Sequence, residues 1–185
     1  MAHLTKRKKV AIDLDGVVMD TITGLFKTHD LDFTLDDVSI YFFGDLPKFN
    51  ISKEEMLYYH ETIKPKYVKL FPNAYHGIDM LQKDNDVFFL TSKSEEMMKW
   101  TNKVLKREKL SHIPVKISYE KQLEDFDLLI EDCGLTWAKC KEVGKECWLI
   151  NRKYNQMYTE AMHFEDLYQV AVQLMFNVGE QNVIL

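Results

Sequence analysis

Glycine and proline are scarce in this sequence, which has seven glycines and four prolines in 185 residues, about half of average usage. Because these residues break helices and strands, their scarcity favours a helix-containing protein over a turn-rich β sandwich. Hydrophobic residues make up 46% of the chain and charged residues 29%, which supports a packed core and argues against extended disorder. The length is typical of one domain, with room for a small insertion.

Cysteine is sparse as well. The three cysteines, Cys133, Cys140 and Cys147, are too few for a disulfide framework, and no two of them are separated by two residues as in many zinc sites. An odd number of unpaired thiols is typical of a reducing compartment. The first residues contain no apolar signal segment, and no run is long enough to span a bilayer. We therefore expect a cytoplasmic protein with no membrane partner.

Positive charge is in deficit, because 24 lysines and arginines face 29 aspartates and glutamates, for a net charge of −5. Long nucleic acids are bound through clustered lysine and arginine, so we expect no such partner. The basic run at residues 6–9 is more typical of a solvated arm before the first strand. Whether the chain forms a homodimer stays open.

Short apolar runs alternate with helical periodicity along most of the chain. Continuous apolarity is typical of strands covered on both faces, as in a parallel sheet. Candidate helices follow Ser94, cover residues 135–143 and end the chain over residues 163–178. The sequence thus predicts a doubly wound, Rossmann-like α/β fold with a mostly parallel five-stranded sheet. The predicted strands are residues 10–14, 87–90, 115–118, 128–130 and 147–150.

One interval interrupts this alternation, because no strand is predicted between residues 14 and 87, far more chain than one crossover needs. It contains the stretches 34–43 and 52–63, the second with a capping box of Ser52 and Glu55, and Asn73 is expected to cap a helix that follows. We predict a small helical cap inserted after the first strand, formed by residues 20–70. The α/β core is then residues 1–19 and 71–185. The alternative is a long decorated crossover.

Polar side chains end several of the predicted strands. The first is followed by DLDGV at residues 13–17, where Gly16 lets the chain turn so that both aspartates can point beyond the strand end. The second ends in two hydroxyl residues, a lysine follows, and the fourth ends in two acids. These residues are Asp13, Asp15, Thr91, Ser92, Lys121, Glu131 and Asp132. Lys93, two positions after Thr91, is expected at a phosphate edge or on the surface.

This ordered set resembles the four motifs of the haloacid dehalogenase-like phosphohydrolase superfamily and spans residues 13–132. A narrower resemblance is to the 5′(3′)-deoxyribonucleotidases, and it rests on the segments KQLEDFDLLIEDC, LFPNAYHGIDML and LINRKYNQ. Two positions depart from that family. The acidic pair is Glu131-Asp132 where the family usually has two aspartates, and Thr21 stands where an aromatic residue is often found.

The resemblance implies catalysis through an aspartyl-phosphate. Asp13 would be the nucleophile and Asp15 the general acid and base, with a pKa raised by the neighbouring negative charge. Lys121 would neutralise the transferring phosphoryl group, and Thr91 with the backbone N–H of Ser92 would donate to its oxygens.

The implied cofactor is Mg²⁺, because four carboxylates in one crevice need a hard dication with oxygen ligands. By the resemblance, the Asp13 carboxylate, the Asp15 backbone carbonyl and Asp132 would bind it. Glu131 would hold a metal-bound water.

The expected substrate is a small phosphomonoester, a deoxyribonucleoside monophosphate by the resemblance. Phe42, Phe43 and Tyr59 of the cap would stack on the base, although such aromatics can instead pack the cap onto the core. Three alternatives stay open. They are a phosphatase of another phosphomonoester such as a sugar phosphate, a polynucleotide 3′-end phosphatase, and a non-catalytic binding module.

Overall fold

A parallel sheet forms the centre of the protein in the computed structural model, which describes residues 7–49 and 51–181. Its strands are β1 (Lys8–Ile12), β4 (Asn85–Thr91), β5 (Val115–Ile117), β6 (Leu128–Glu131), β7 (Cys147–Ile150) and β8 (His163–Phe164), and two further strands, β2 (Met19–Asp20) and β3 (Lys69–Leu70), form a separate pair. The strand order is β5-β4-β1-β6-β7-β8, and all neighbouring strands run parallel. The doubly wound α/β prediction is therefore confirmed.

The predicted strand number was wrong by one, because the described part of this sheet has six strands. The additional strand, β8, falls where the sequence predicts the start of the last helix. Its two residues pair with Leu149 and Ile150 of β7, and Phe164 packs against Trp148 with ring centroids 5.0 Å apart. A strand of two residues has no period that a sequence pattern can display, so only its neighbour β7 defines it.

Helices cover both faces of the sheet. Along β1, Val10 and Ile12 pack into the larger hydrophobic cluster, whereas Ala11 packs into a smaller one on the other face. This alternation is what a strand buried on both sides requires. The core helices are α3 (Ala74–Asp84), α4 (Glu95–Arg107), α5 (Gly134–Glu142) and α6 (Leu167–Gln181).

The ends of these helices follow local chemistry with one exception. Ser94 caps α4 by accepting a hydrogen bond from the backbone N–H of Met97. Asn73 occupies the N-cap position of α3 in a left-handed conformation, with φ of 61°, but its side chain does not cap the helix. It donates instead to Asp166, at 2.7 Å. The prediction that Asn73 caps α3 was wrong, because its side-chain amide donates to Asp166, which is distant in the sequence.

The inserted chain leaves and re-enters the core at one place. Strands β2 (Met19–Asp20) and β3 (Lys69–Leu70) pair antiparallel there, beside the first helix of the cap. The cap contains α1 (Thr21–Thr28) and α2 (Lys53–Glu61), and the capping box of α2 forms as expected. The stretch 34–43 has only a short 3₁₀ turn at Leu35–Asp37, and another begins at its end, at Phe43–Asp45. The division at residues 20 and 70 stays a prediction.

None of the helices in the described ranges has the length and apolarity needed to cross a membrane.

Candidate active site

The acidic residues meet at the carboxyl ends of β1 and β6, neighbouring strands of the sheet. Asp13 follows β1 directly, Glu131 is the last residue of β6, and Asp132 follows it. The loop after β1 turns at Gly16, whose φ is +72°. A Cβ atom at this position would overlap Asp132 Oδ2. A glycine is therefore required both for the backbone conformation and for the close approach of this loop to Asp132.

Lys121 links two of these carboxylates beneath the surface. Its Nζ lies 2.7 Å from Asp13 Oδ1 and 3.0 Å from Glu131 Oε2, and all three residues are at least 95% buried. Burial lowers the pKa of Lys121, but the two carboxylates outweigh burial and raise it, so the ammonium stays charged. Burial raises the pKa of Glu131 and of Asp13, and Lys121 opposes both shifts.

Asp132 is held by the chain that follows β7. Tyr154 donates its hydroxyl hydrogen to Asp132 Oδ2, and Asn155 Nδ2 donates to the Asp132 backbone carbonyl at 2.8 Å. The other carboxylate oxygen, Oδ1, is buried without a hydrogen-bond partner in the described part of the chain. Burial is the largest cause that raises the pKa of Asp132 to about 7, and the charge of Asp13 is the second.

The donor set fits a divalent cation. Asp13, Glu131 and Asp132 each offer a carboxylate oxygen, and these oxygens lie within 4.8 Å of one another. Buried carboxylates with one oxygen lacking a partner are costly unless a cation compensates them. All-oxygen ligand sets suit a hard ion such as Mg²⁺. Among the described residues, these three form a group that could hold a metal.

Asp15 differs from the other acids because both of its oxygens have partners. Thr21 donates its hydroxyl hydrogen to Oδ1, and Lys93 Nζ lies 2.8 Å from Oδ2. Burial raises the pKa of Asp15, but Lys93 and after it Thr21 oppose this effect, and the net shift of the pKa is downward. The expectation of a raised pKa was wrong, since it counted the neighbouring acids and not this lysine. Of the two positions expected for Lys93, the surface was wrong, because its side chain is only 2% exposed, and the phosphate edge stays a prediction.

The hydroxyl residues predicted for phosphate binding lie at the end of β4. Thr91 is buried, its backbone carbonyl accepts from the N–H of Ser118 at 2.9 Å, and it reaches the cavity beside Asp13. Ser92 is exposed and also lines the cavity, and its hydroxyl donates to the Ser118 carbonyl at 3.1 Å. The structure thus brings Thr91 and Ser92 to the acidic residues, and their roles stay predictions.

A cavity of about 610 Å³ opens above these groups, between the sheet edge and the cap. Phe42 lines it and is 61% exposed. Tyr41, which sequence reasoning passed over, stands between Phe42 and the acidic cluster, with ring centroids 5.1 Å from Phe42 and 5.9 Å from Tyr154. Tyr59 does not line this cavity, because it stacks on His29 at 4.3 Å. The side chain of Phe43 lies outside the described residues.

Thr21 and Tyr154 are site residues to which the sequence assigned no role in the chemistry, and for Lys93 it offered only a position at a phosphate edge or on the surface. Each had a weak signal. Lys93 lies two positions after the hydroxyl at the end of a strand, Thr21 stands at the position where the resembled family often has an aromatic residue, and Tyr154 lies in the YN run after the last predicted strand. None of these signals indicates which carboxylate the side chain contacts.

No family model matches the sequence, and no curated protein matches it. Solved structures do match its fold. A haloacid dehalogenase-like hydrolase from Streptococcus pneumoniae has a TM-score of 0.62 at 16% identity, over 91% of this chain and 98% of that chain. A protein described provisionally as a β-phosphoglucomutase, from Thermotoga maritima, has a TM-score of 0.60 at 16% identity, over 91% and 98%.

A further match is a haloacid dehalogenase-type hydrolase from Bacillus subtilis that was solved with magnesium bound. Its TM-score is 0.54 at 14% identity, over 92% of this chain and 99% of that chain. Similarity at these identities concerns the fold, and the deoxyribonucleotidases are not among the matches described here. The chain therefore has the fold that these haloacid dehalogenase-like hydrolases share.

Proposed function

We propose that this protein is a Mg²⁺-dependent phosphomonoesterase that hydrolyses nucleoside monophosphates, with deoxyribonucleotides as the leading substrates. The observation that carries the proposal is the pairing of Asp13 with Lys121 beside the buried acids Glu131 and Asp132. The pairing lies at the floor of a cavity large enough for a small organic phosphate. The fold match to hydrolases, one of them solved with magnesium, supports the same chemistry.

The residues of the site divide the reaction into two displacements. A carboxylate oxygen of Asp13 attacks phosphorus, the bond from phosphorus to the alcohol oxygen breaks, and that oxygen takes a proton from Asp15. Water then attacks phosphorus and passes a proton to Asp15. This step releases inorganic phosphate and restores the Asp13 carboxylate.

The charges of the site match these roles. Lys121 holds the Asp13 carboxylate in place and offsets charge on the phosphoryl oxygens. A cation bound by the three acids supplies further positive charge towards the phosphate. Lys93 favours the ionised form of Asp15, which is the form that accepts a proton from water. The proton for the first step can arrive with the substrate, since a phosphomonoester has a second pKa of about 6.

The cavity walls support a nucleoside as the leaving group. Tyr41 and Phe42 form an aromatic pair on the cap side, and a flat base can stack on such rings. Ile22, Met56 and Met97 add apolar surface to the same cavity. A planar, partly apolar group matches this lining better than a short polyol does.

A sugar phosphate is the second candidate, and two observations favour it. One of the structural matches is the provisional β-phosphoglucomutase from Thermotoga maritima. The cavity also has polar groups, on Asp45, Ser52 and Lys53, that could bind sugar hydroxyls.

Release of inorganic phosphate from a substrate panel tests the proposal. The panel holds deoxyribonucleoside and ribonucleoside monophosphates with 5′ or 3′ phosphates, together with hexose and pentose phosphates. Each is assayed with Mg²⁺ and again with EDTA. We expect the highest kcat/KM with deoxyribonucleotides and at least a 100-fold loss in EDTA. Faster turnover of a sugar phosphate would replace the substrate assignment, and no turnover of any member would refute the phosphatase itself.

A further inference from the structure

Lys93 is a buried lysine that forms no bond and exchanges no proton in the two-step reaction. It lies in the loop between β4 and α4, and its ammonium sits 3.9 Å from the centroid of the Trp100 ring. Desolvating an ammonium destabilises the folded state, and contact with an aromatic face offsets only part of this cost. A methionine of similar length would pack on the same ring without this cost. A functional reason for the buried ammonium charge is therefore expected, and the position of the ammonium beside Asp15 supplies that reason.

Lys93 and Thr21 hold Asp15 from two directions. Lys93 Nζ contacts Oδ2 from the core side, and the Thr21 hydroxyl donates to Oδ1 from the first turn of cap helix α1. A carboxylate with a separate partner on each oxygen is restricted in its χ2 rotation, which is otherwise broad. The Asp15 side chain is still 38% exposed, so it faces the cavity and is not sealed in the core.

The Lys93 ammonium retains hydrogen-bonding capacity after this contact. The contact with Asp15 is an ion pair, and the ammonium has no other hydrogen-bonding acceptor among the described residues. Lys93 lines the cavity together with Asp13 and Asp15. Its position is set by the Trp100 ring on one side and by Asp15 on the other.

We propose that Lys93 is a positioning residue that orients the Asp15 carboxylate towards the oxygen of the leaving alcohol. The inference rests on the proposed phosphomonoesterase function. In that reaction, the bond from phosphorus to the alcohol oxygen breaks as Asp15 passes its proton to that oxygen. A misdirected carboxylate transfers this proton poorly, whereas the attack by Asp13 is unaffected. Proton transfer of this kind contributes about 10²- to 10⁴-fold to a rate.

Substrates with good leaving groups do not need this proton, and that difference provides the test. The probes are p-nitrophenyl phosphate and p-methylphenyl phosphate, which have nearly the same shape but release phenols of very different acidity. The ratio of their kcat/KM values reports the first displacement alone, since later steps are common to both. The variant is Lys93→Met, which keeps the stem over Trp100. Lys116→Met, an exposed lysine on β5 paired with Glu124, is the control.

We expect Lys93→Met to lower kcat/KM for p-methylphenyl phosphate at least 10-fold more than for p-nitrophenyl phosphate. Lys116→Met should leave the ratio unchanged, and Lys93→Arg should restore part of it. In an Asp15→Asn background, Lys93→Met should change the ratio less than 2-fold, because the group that it orients is absent. If Lys93→Met fails to fold, Lys93→Gln gives the same comparison.

Equal losses with both probes would overturn the positioning role and leave the phosphatase assignment intact. The same conclusion would follow from an undiminished effect in the Asp15→Asn background. A wild-type protein that hydrolyses neither probe nor any member of the substrate panel would instead refute the proposed function. The two failures are thus distinguishable.

Discussion

The indole N–H of Trp100 donates a hydrogen bond of 2.9 Å to the backbone carbonyl of His60. Trp100 lies on core helix α4 and His60 near the end of cap helix α2, so this bond joins the two parts above the cavity. The face of the same indole supports Lys93. One side chain therefore secures both the cap and the cation next to Asp15.

Trp100→Phe should loosen the cap without removing the aromatic face. The variant loses one part-buried hydrogen bond to a backbone carbonyl, worth about 0.5–1.5 kcal/mol, and some buried surface. We expect hydrogen exchange over residues 53–61 to become several-fold faster, while residues 134–142 of α5 keep their rates. Mass spectrometry of deuterated peptides measures both segments. Equal acceleration in the two segments would indicate general destabilisation and would contradict a tether confined to the cap.

Asp13→Asn should abolish turnover, because an amide cannot attack phosphorus to form the intermediate. We expect at least a 10³-fold lower kcat for phosphate release and an unchanged circular dichroism spectrum. Asp79→Asn, an exposed position on α3, is the matched control and should keep wild-type activity. If Asp13→Asn keeps more than a tenth of the wild-type rate, Asp13 is not the nucleophile.

Asp132→Asn should remove the response of the protein to Mg²⁺. At 100 times its dissociation constant, a ligand stabilises the native state by about 2.7 kcal/mol. For a chain of this size that corresponds to a rise in Tm of about 5–10 °C. We expect this rise in the wild type and in Asp79→Asn, and less than 2 °C in Asp132→Asn. A full Mg²⁺ response in Asp132→Asn would exclude Asp132 as a ligand.

The same variant should change how stability depends on pH when metal is removed with EDTA. The pKa of Asp132 is about 7 in the folded chain, against about 4 for an ordinary aspartate. Between these values the folded state binds more protons than the unfolded state, so Asp132 lowers the free energy of unfolding as pH rises. The gain in Tm from Asp132→Asn should therefore be larger at pH 8 than at pH 5. Equal gains at the two pH values would contradict the raised pKa.

Phe42→Ala should weaken the binding of nucleotides selectively. Stacking between aromatic groups contributes about 0.5–1.5 kcal/mol, so we expect KM for the best nucleotide to rise about 3- to 10-fold with little change in kcat. Glycerol phosphate, which has no ring to stack, should keep its KM. Tyr119→Ala, at an exposed tyrosine that does not line the cavity, is the control. An unchanged nucleotide KM in Phe42→Ala would remove Phe42 from the substrate site.

Local patterns were sufficient for most of the sheet and for the position of the acids. The apolar runs at β1, β4 and β7 are continuous, so they mark buried strands without knowledge of their neighbours. Once the strands are parallel, their carboxyl ends share one edge. The polar residues after β1, β4 and β6 must then approach each other, as the Lys121 contact with Asp13, 108 positions away, illustrates.

Contacts between distant segments decided the remaining features. The strand β8 exists only because β7 offers it an edge, and Asn73 turns away from its helix because Asp166 is near. The pKa shift of Asp15 is opposite in direction to the predicted shift for the same reason. A pKa depends on burial and on charges a few ångströms away, and no local pattern reports that Lys93 lies 2.8 Å from Asp15.

The sequence by itself thus determined the fold class and predicted which polar residues meet at one edge of the sheet, since both follow from periodicity and from the residues at strand ends. Only the tertiary structure decided how those residues are paired: Asp13 with Lys121, Asp15 with Lys93 and Asp132 with Tyr154. Pairing depends on side-chain directions and on the depth of burial, which arise when separate elements pack against one another.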